Sequence, residues 1–263
     1  MRCIIDNNLL SSINKSRKWL TPSQKRRITL ILPPRVWSEA SLGPSPIERL
    51  TGLTEFVLRF GMEWGHVSRV ARTLTDAQLA SFQPIVPNKS RLHRSFLNLL
   101  MNGTEFVAED ARQMKQEVLS TNEDVSSFIA ADNKQTRDAL SRGENIVLVR
   151  DVLDIDHVKQ NVSNCEWFGL SYERIRINPI LHRCVKLYVH VHLGYANCWR
   201  DKTLNVTVGP GRDDFTDISL ALYAADGDVI LTADKKFGDA FRSIDPHRRV
   251  EIKTWDEVIK TFN

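Results

Sequence analysis

Four acidic residues have positions in the chain that suit a shared cation-binding site. Asp6 follows the short apolar run CII, and Asp234 ends the run VILTAD. Glu39 and Asp217 each fall near the start of a segment with helical spacing, RVWSEAS and TDISLALYAADGD respectively. In a parallel α/β sheet, the carboxyl ends of the strands and the first turns of the following helices meet at one edge. The four carboxylates could therefore converge there.

A cluster of carboxylates is costly to fold unless cations neutralise it, because like charges at short range repel one another. Hard oxygen ligands of this kind suit Mg²⁺ or Mn²⁺. A single acid at a strand end or helix start is more often an ordinary cap, so the prediction depends on the combination.

The N-terminal segments predict two strand-to-helix steps. CIID reads as a strand, followed by helical spacing at Leu9, Leu10 and Ile13. ITLIL reads as a second strand that Pro33 and Pro34 end, because proline cannot donate to a ladder. The following helix, RVWSEAS, places Glu39 about one turn in.

The middle of the chain, from about residue 47 to 197, has mostly helical spacing. We predict helices over PIERLTGLTEFVLRF, SRLHRSFLNLLM, EFVAEDARQMKQEVL and NEDVSSFIAADNKQTRDAL. ENIVLVRDV is a candidate strand. VKLYVHVHLGY satisfies both a strand and a buried helix, of which we favour the helix.

The C-terminal segments complete an alternating pattern. Thr216 is predicted to cap a helix that Gly227 ends in a left-handed conformation. VILTAD and RVEIK are predicted strands, DKKFGDAF a short helix, and TWDEVIKTF a helix with a capping box between Thr254 and Glu257. Alternating strands and helices predict an α/β fold with a parallel sheet.

Composition is consistent with a globular protein, since 42% of the 263 residues are hydrophobic. The net charge of +4 does not by itself indicate a nucleic-acid partner. One basic run has no acid within it, and such a run is more often a solvated face than a phosphate-binding surface. Its members are Lys15, Arg17, Lys18, Lys25, Arg26, Arg27 and Arg35.

No segment has the length and hydropathy of a spanning helix or a signal peptide, so we expect a cytoplasmic protein without membrane association. The four cysteines form no CxxC pair and are expected to be buried thiols; they are Cys3, Cys165, Cys184 and Cys198. Zinc is a weak alternative, because His182, Cys184, His190, His192 and Cys198 lack finger spacing. Trp167, Phe168 and Tyr172 are expected in the core rather than stacked on bases.

Three motifs, taken in order, resemble the PIN-domain nucleases. CIIDNNLL is similar to the opening strand of that family, which ends in an acid followed two residues later by a small polar residue, here Asp6 and Asn8. LPPRVWSEAS resembles the second acidic motif, at Glu39. DDFTDISLALYAADGDVILTADKKF resembles the final motif, and Asp214 matches an additional acid found in some members.

The resemblance implies a PIN-like core at residues 1–60 and 200–263, with a mostly helical insertion at 61–199. It implies an endoribonuclease that uses Mg²⁺ or Mn²⁺ to leave a 5′-phosphate and a 3′-hydroxyl. The metal ligands would be Asp6, Glu39, Asp214, Asp217 and Asp234, of which all but Asp214 are also assigned as catalytic. Asn8 and Thr232 would orient the ligands, and Lys235 and Lys236 would contact the scissile strand. RNA is the expected partner, and a protein inhibitor or a second copy of the chain stays open.

Two alternatives remain at this point. The chain could be a non-catalytic interaction module that uses the same fold, although a scaffold has no use for so many clustered acids. It could also be a small-substrate phosphohydrolase, which would carry a DxD motif after the first strand, where this chain has Asn8.

Overall fold

The computed structural model describes residues 1–16, 19–42, 56–86, 104–144, 169–199, 214–225, 227–238 and 250–262. Six strands in these ranges form one sheet in the order β4-β3-β2-β1-β5-β6. They are β1 (Arg2–Ile5), β2 (Thr29–Leu32), β3 (Val57–Gly61), β4 (Ile85–Val86), β5 (Val229–Leu231) and β6 (Glu251–Lys253).

Five strands run parallel, and the two-residue strand β4 pairs antiparallel with β3 at one edge. The central strands are short apolar runs in which successive residues are buried: Cys3, Ile4 and Ile5 in β1 are all fully buried. Successive strand residues point to opposite faces, so the sheet is covered on both faces, as parallel sheets usually are.

Ten helices accompany these strands in the described ranges. They are α1 (Leu10–Ser16), α2 (Pro22–Arg26), α3 (Pro34–Leu42), α4 (Trp64–Thr73), α5 (Asp76–Ala80), α6 (Thr104–Ser141), α7 (Tyr172–Ile177), α8 (Pro179–Trp199), α9 (Asp214–Leu220) and α10 (Trp255–Lys260). 3-10 turns cover Asn7–Leu9 and Ala221–Tyr223, and residues 235–238 form a further helical turn. None of the described helices is both long enough and apolar enough to cross a membrane.

The strand order reverses direction beside β1. From β1 the chain proceeds outward through β2 and β3, then returns to the other side of β1 for β5 and β6. The boundary between β1 and β5 is therefore the topological switch point of the sheet. In open α/β sheets, ligands bind in the crevice at the carboxyl edge of this point.

The structure confirms the α/β class, the parallel sheet and most of the predicted elements. VKLYVHVHLGY lies inside α8, and the two helices predicted over residues 105–140 are one continuous helix, α6. The capping box of Thr254 and Glu257 is present at α10. SRLHRSFLNLLM and ENIVLVRDV lie outside the described residues.

Two local predictions were wrong, and a third was right only in part. The segment ending FVLRF was predicted as helix, but Val57–Gly61 forms β3, because pairing with β2 overrides its local spacing. Thr216 does not cap a helix: α9 already begins at Asp214, and the Thr216 carbonyl accepts a hydrogen bond from Ser219 Oγ at 2.6 Å. Gly227 does adopt a positive φ of 83°, in the turn before β5 rather than at a helix end.

The described part of 61–199 shares a hydrophobic core with the flanking segments. Trp64 and Tyr188 are buried in the same cluster as Ile4. The Tyr223 hydroxyl donates to the Met62 carbonyl at 3.1 Å, which links the two parts directly. The boundary between a PIN-like core and a helical insertion stays a prediction.

Candidate functional site

Asp6 stands at the carboxyl end of β1, at the switch point. Its backbone N–H donates to the Leu231 carbonyl at 3.1 Å, which continues the β1–β5 ladder past the end of the strand. The residue is 4% exposed, and its Oδ2 accepts a 2.6 Å hydrogen bond from Thr232 Oγ1. Burial raises the pKa of Asp6, and the negative charge of Asp234 adds to this increase. The hydrogen bond from Thr232 and those from the backbone N–H groups of Asn8 and Asn7 lower the pKa and so oppose it.

Thr232 connects the turn after β1 to the turn after β5. Its buried hydroxyl accepts from the backbone N–H of Asp234 at 3.0 Å and from Asn8 Nδ2 at 3.4 Å, besides donating to Asp6. Asn8 in turn accepts from the Ala233 N–H at 3.3 Å. Asn8 and Thr232 therefore link the turns that carry Asp6 and Asp234, and their role in orienting metal ligands stays a prediction.

Asp234 lies just beyond β5 and begins the helical turn 235–238. Its Oδ1 accepts the Phe237 N–H at 3.0 Å, and its carbonyl accepts the Gly238 N–H at 3.1 Å. Phe237 is fully buried, so this turn is anchored in the core. The cap fixes the Asp234 carboxylate on the same edge of the sheet as Asp6.

The remaining acids lie on two helices: Glu39 is in α3, and Asp214 and Asp217 are in α9. Asp214 and Asp217 are one helical turn apart in α9, so they share a face of that helix. Burial, followed in decreasing order by the negative charges of Asp6, Asp234, Glu39 and Asp214, raises the pKa of Asp217 to about 9. The structure therefore brings the other four predicted acids within electrostatic range of the Asp217 carboxyl group.

Lys236 forms an ion pair inside this group. Its Nζ lies 2.5 Å from Asp214 Oδ2, and the Asp214 side chain is buried. Lys235, by contrast, is exposed. The sequence pattern missed this pair because its members are 22 residues apart, and contact of either lysine with a substrate stays a prediction.

The chemistry of these side chains fits Mg²⁺ or Mn²⁺. Their donors are carboxylate oxygens, the ligands that these hard cations prefer. Within the described ranges, however, no three His, Cys, Asp or Glu side chains form a closed set of metal ligands. The acids are gathered but are not positioned around a single point.

The alternative zinc residues have ordinary structural surroundings where they are described. His182 Nε2 lies 3.0 Å from the Tyr172 hydroxyl, and Tyr172 is buried, as expected for the core. Cys184 donates to the Ala224 carbonyl at 3.6 Å, and burial raises the pKa of its thiol and that of Cys3 to about 12. Cys165, Trp167 and Phe168, and the side chains of His190, His192 and Cys198, lie outside the described residues.

The basic run divides between the two edges of the sheet. Arg35 lies in the first turn of α3, beyond the carboxyl end of β2. Lys25, Arg26 and Arg27 lie at the end of α2, just before β2 begins, and thus at the amino edge. Only Arg35 of these four is on the side of the carboxylates.

Comparison of the chain with protein-family models, with curated proteins and with solved structures found no match.

Proposed function

We propose that this chain is a metal-dependent ribonuclease of the PIN-domain kind, which hydrolyses phosphodiester bonds at the acidic cluster beside β1 and β5. The observation that carries this proposal is the gathering of five carboxylates at the topological switch point, the place where α/β sheets bind ligands. The order of the three sequence motifs supports the family resemblance.

The electrostatics of the cluster favour a cation-dependent site over a structural one. A scaffold would gain stability by replacing mutually repelling, partly buried acids with neutral side chains, because repulsion and desolvation both raise their free energy. Asp214 has Lys236 beside it at hydrogen-bonding distance, and the charges of the other four acids still act on one another. Residues that weaken the fold in this way are typical of binding and catalytic sites.

The protein's own groups have separate tasks in the proposed reaction. Asp6, Glu39, Asp217 and Asp234 would hold the divalent cations, while Thr232 and Asn8 keep the turns after β1 and β5 in register. Bound Mg²⁺ or Mn²⁺ would supply the Lewis acidity that makes water nucleophilic and offsets charge on the phosphate. Lys236 would neutralise Asp214 and leave the other acids to the cations.

A direct test is incubation of the chain with end-labelled single-stranded RNA and Mn²⁺, with and without EDTA. Cleavage should require the cation and should be abolished in Asp6→Asn and Asp217→Asn, which keep side-chain volume but remove a ligand charge. Asp124→Asn, an exposed acid in α6, is the matched control and should cleave like the wild type. Binding of Mn²⁺ measured by calorimetry should weaken in the first two variants only.

The same experiment separates the alternatives. Wild-type cleavage in Asp6→Asn, or cleavage in EDTA, would contradict the proposed site. Hydrolysis of p-nitrophenyl phosphate without cleavage of RNA would favour the small-substrate phosphohydrolase, and Mn²⁺ binding without hydrolysis of either would favour the non-catalytic module.

A further inference from the structure

The turn between α1 and α2 presents an aromatic side chain to solvent. Trp19 is 81% exposed and is the most exposed large hydrophobic residue in the described part of the chain. The Trp19 N–H donates to the Ser16 carbonyl at 2.9 Å, and the neighbouring Leu20 is buried. The core thus fixes the backbone at this point while the indole stays outside.

The two helices that flank Trp19 in the chain each carry positive charge in their last turn. Lys15 ends α1 and is exposed, while Arg26 and Arg27 are exposed at the end of α2, beside the half-buried Lys25. The Arg27 guanidinium lies 5.3 Å from the centre of the Phe262 ring, which holds it against the surface. We call Lys15, Trp19, Lys25, Arg26 and Arg27 the amino-edge patch.

Lys25, Arg26 and Arg27 lie just before β2, at the edge of the sheet where the parallel strands begin. α1 begins near the carboxyl end of β1 and must return the chain to the start of β2, which runs parallel to β1. The Thr29 N–H donates to the Met1 carbonyl at 2.8 Å, so residues just before Thr29 lie at the amino edge. The four residues of β1 span about 13 Å, which separates the patch from the carboxylates at the other edge.

The charge of the amino-edge patch is positive. No acidic residue occurs in the sequence between Asp6 and Glu39. The described acids at the starts of the neighbouring strands have basic partners: Asp228 lies 3.3 Å from Arg2, and Glu251 pairs with Lys253. An anion that approaches the patch is therefore repelled little by the acids at the amino edge of the sheet.

We infer that the amino-edge patch binds single-stranded RNA, with the Trp19 indole stacked on a base and the basic side chains on phosphates. An exposed aromatic ring among lysine and arginine side chains is the combination that binds single strands without reading their sequence. The choice of RNA as the polymer rests on the proposed function. Because the patch and the acidic cluster lie at opposite edges, the patch holds nucleotides away from the scissile bond and contributes to affinity rather than to the chemical step.

The test measures binding of the full chain to a fluorescent oligouridylate of about 20 nucleotides, longer than most single-strand sites, in EDTA so that nothing is cleaved. Trp19→Ala should weaken binding by about 5- to 100-fold, and Trp19→Phe should restore most of it, because both aromatic rings stack. In Lys15→Ala/Arg26→Ala, the slope of log affinity against log salt should fall by about 1.4, roughly 0.7 for each lost phosphate contact.

The control is Arg69→Ala/Lys134→Ala, which removes two exposed basic residues from α4 and α6 and should leave the slope unchanged. Unchanged affinity in Trp19→Ala, an unchanged slope in Lys15→Ala/Arg26→Ala, or an equal slope change in the control would overturn the inference. Capture of the wild type by phosphatidylserine vesicles but not by RNA would also overturn it. Since no cleavage is measured, this result is independent of whether the acidic cluster is catalytic.

Discussion

Thr232 Oγ1 donates a 2.6 Å hydrogen bond to Asp6 Oδ2, joining the ends of β1 and β5 across the switch point. The two residues are 226 positions apart in the sequence, so this contact exists only in the folded sheet. It is also the shortest hydrogen bond among the described contacts of Asp6 and Thr232.

Thr232→Val keeps the shape of the side chain but removes its hydroxyl. It leaves the buried Asp6 carboxylate and the Asp234 N–H without this partner, so the free energy of unfolding should fall by about 1–3 kcal/mol. Mn²⁺ affinity should fall as well, because Asp6 is no longer oriented. Thr232→Ser should restore both, as measured by denaturant unfolding and calorimetry. A fully stable Thr232→Val with unchanged metal affinity would contradict the orienting role.

The charge of Asp217 should make the metal-free protein sensitive to pH. Its pKa rises from 3.8 to about 9 on folding, so the folded state retains a proton that the unfolded state releases. The contribution of Asp217 to the stability of the protein is therefore greatest below about pH 4 and is lost as the pH rises towards about 9. Asp217→Asn removes this dependence, and in EDTA its melting temperature should exceed that of the wild type by an amount that grows from pH 5 to pH 9.

The difference in melting temperature between Asp217→Asn and the wild type removes the effect of titrating groups that both proteins share. The comparison is a series of thermal melts in EDTA at matched ionic strength. Added Mn²⁺ should reduce or reverse the advantage of Asp217→Asn, because the cation stabilises only the intact cluster. A difference in melting temperature that stays constant between pH 5 and pH 9 would show that Asp217 is not strained by its neighbours.

The pair of Lys236 and Asp214 should behave as an interacting unit. Lys236→Met leaves the buried Asp214 carboxylate beside the other acids without its lysine. The free energy of unfolding in EDTA should fall by about 1–3 kcal/mol. This loss is smaller than for a fully buried ion pair because the lysine is partly exposed. The double variant Lys236→Met/Asp214→Asn should recover much of this loss. Lys235→Met, at the exposed neighbouring position, is the control. Additive effects in the double-mutant cycle would contradict the pairing.

The contact between Gly61 and Tyr223 should be sensitive to a single methyl group. A Cβ on Gly61 would clash with Cε1 of the Tyr223 ring, and Tyr223 is buried with its hydroxyl hydrogen-bonded to the Met62 carbonyl. Gly61→Ala should therefore destabilise the protein by about 1–3 kcal/mol through overpacking. Gly61→Ala/Tyr223→Leu should be less destabilised than the sum of its single substitutions. Wild-type stability in Gly61→Ala would show that the end of β3 does not pack on Tyr223.

Some features of this protein follow from short stretches of sequence. Thr254 and Glu257 form their capping box because its hydrogen bonds join residues three apart. The strands at CIID, ITLIL and VILTAD were predicted correctly because each is a short apolar run followed by a turn or helix signal. The parallel arrangement followed from the alternation of strands and helices, and it implied in turn that Asp6 and Asp234 reach the same edge.

Other features depend on contacts between distant segments, which no local pattern encodes. Val57–Gly61 carries helical spacing and becomes a strand because β2 offers it a ladder of hydrogen bonds. Lys236 looked like a surface lysine, and only the packing of α9 beside the turn after β5 brings it to Asp214. The exposure of Trp19 was equally hidden, since an indole in a basic segment fits a core or a surface. The sequence determined the types and order of these residues, whereas the tertiary structure decided their partners, because burial and long-range pairing dominate the free energy at each of these positions.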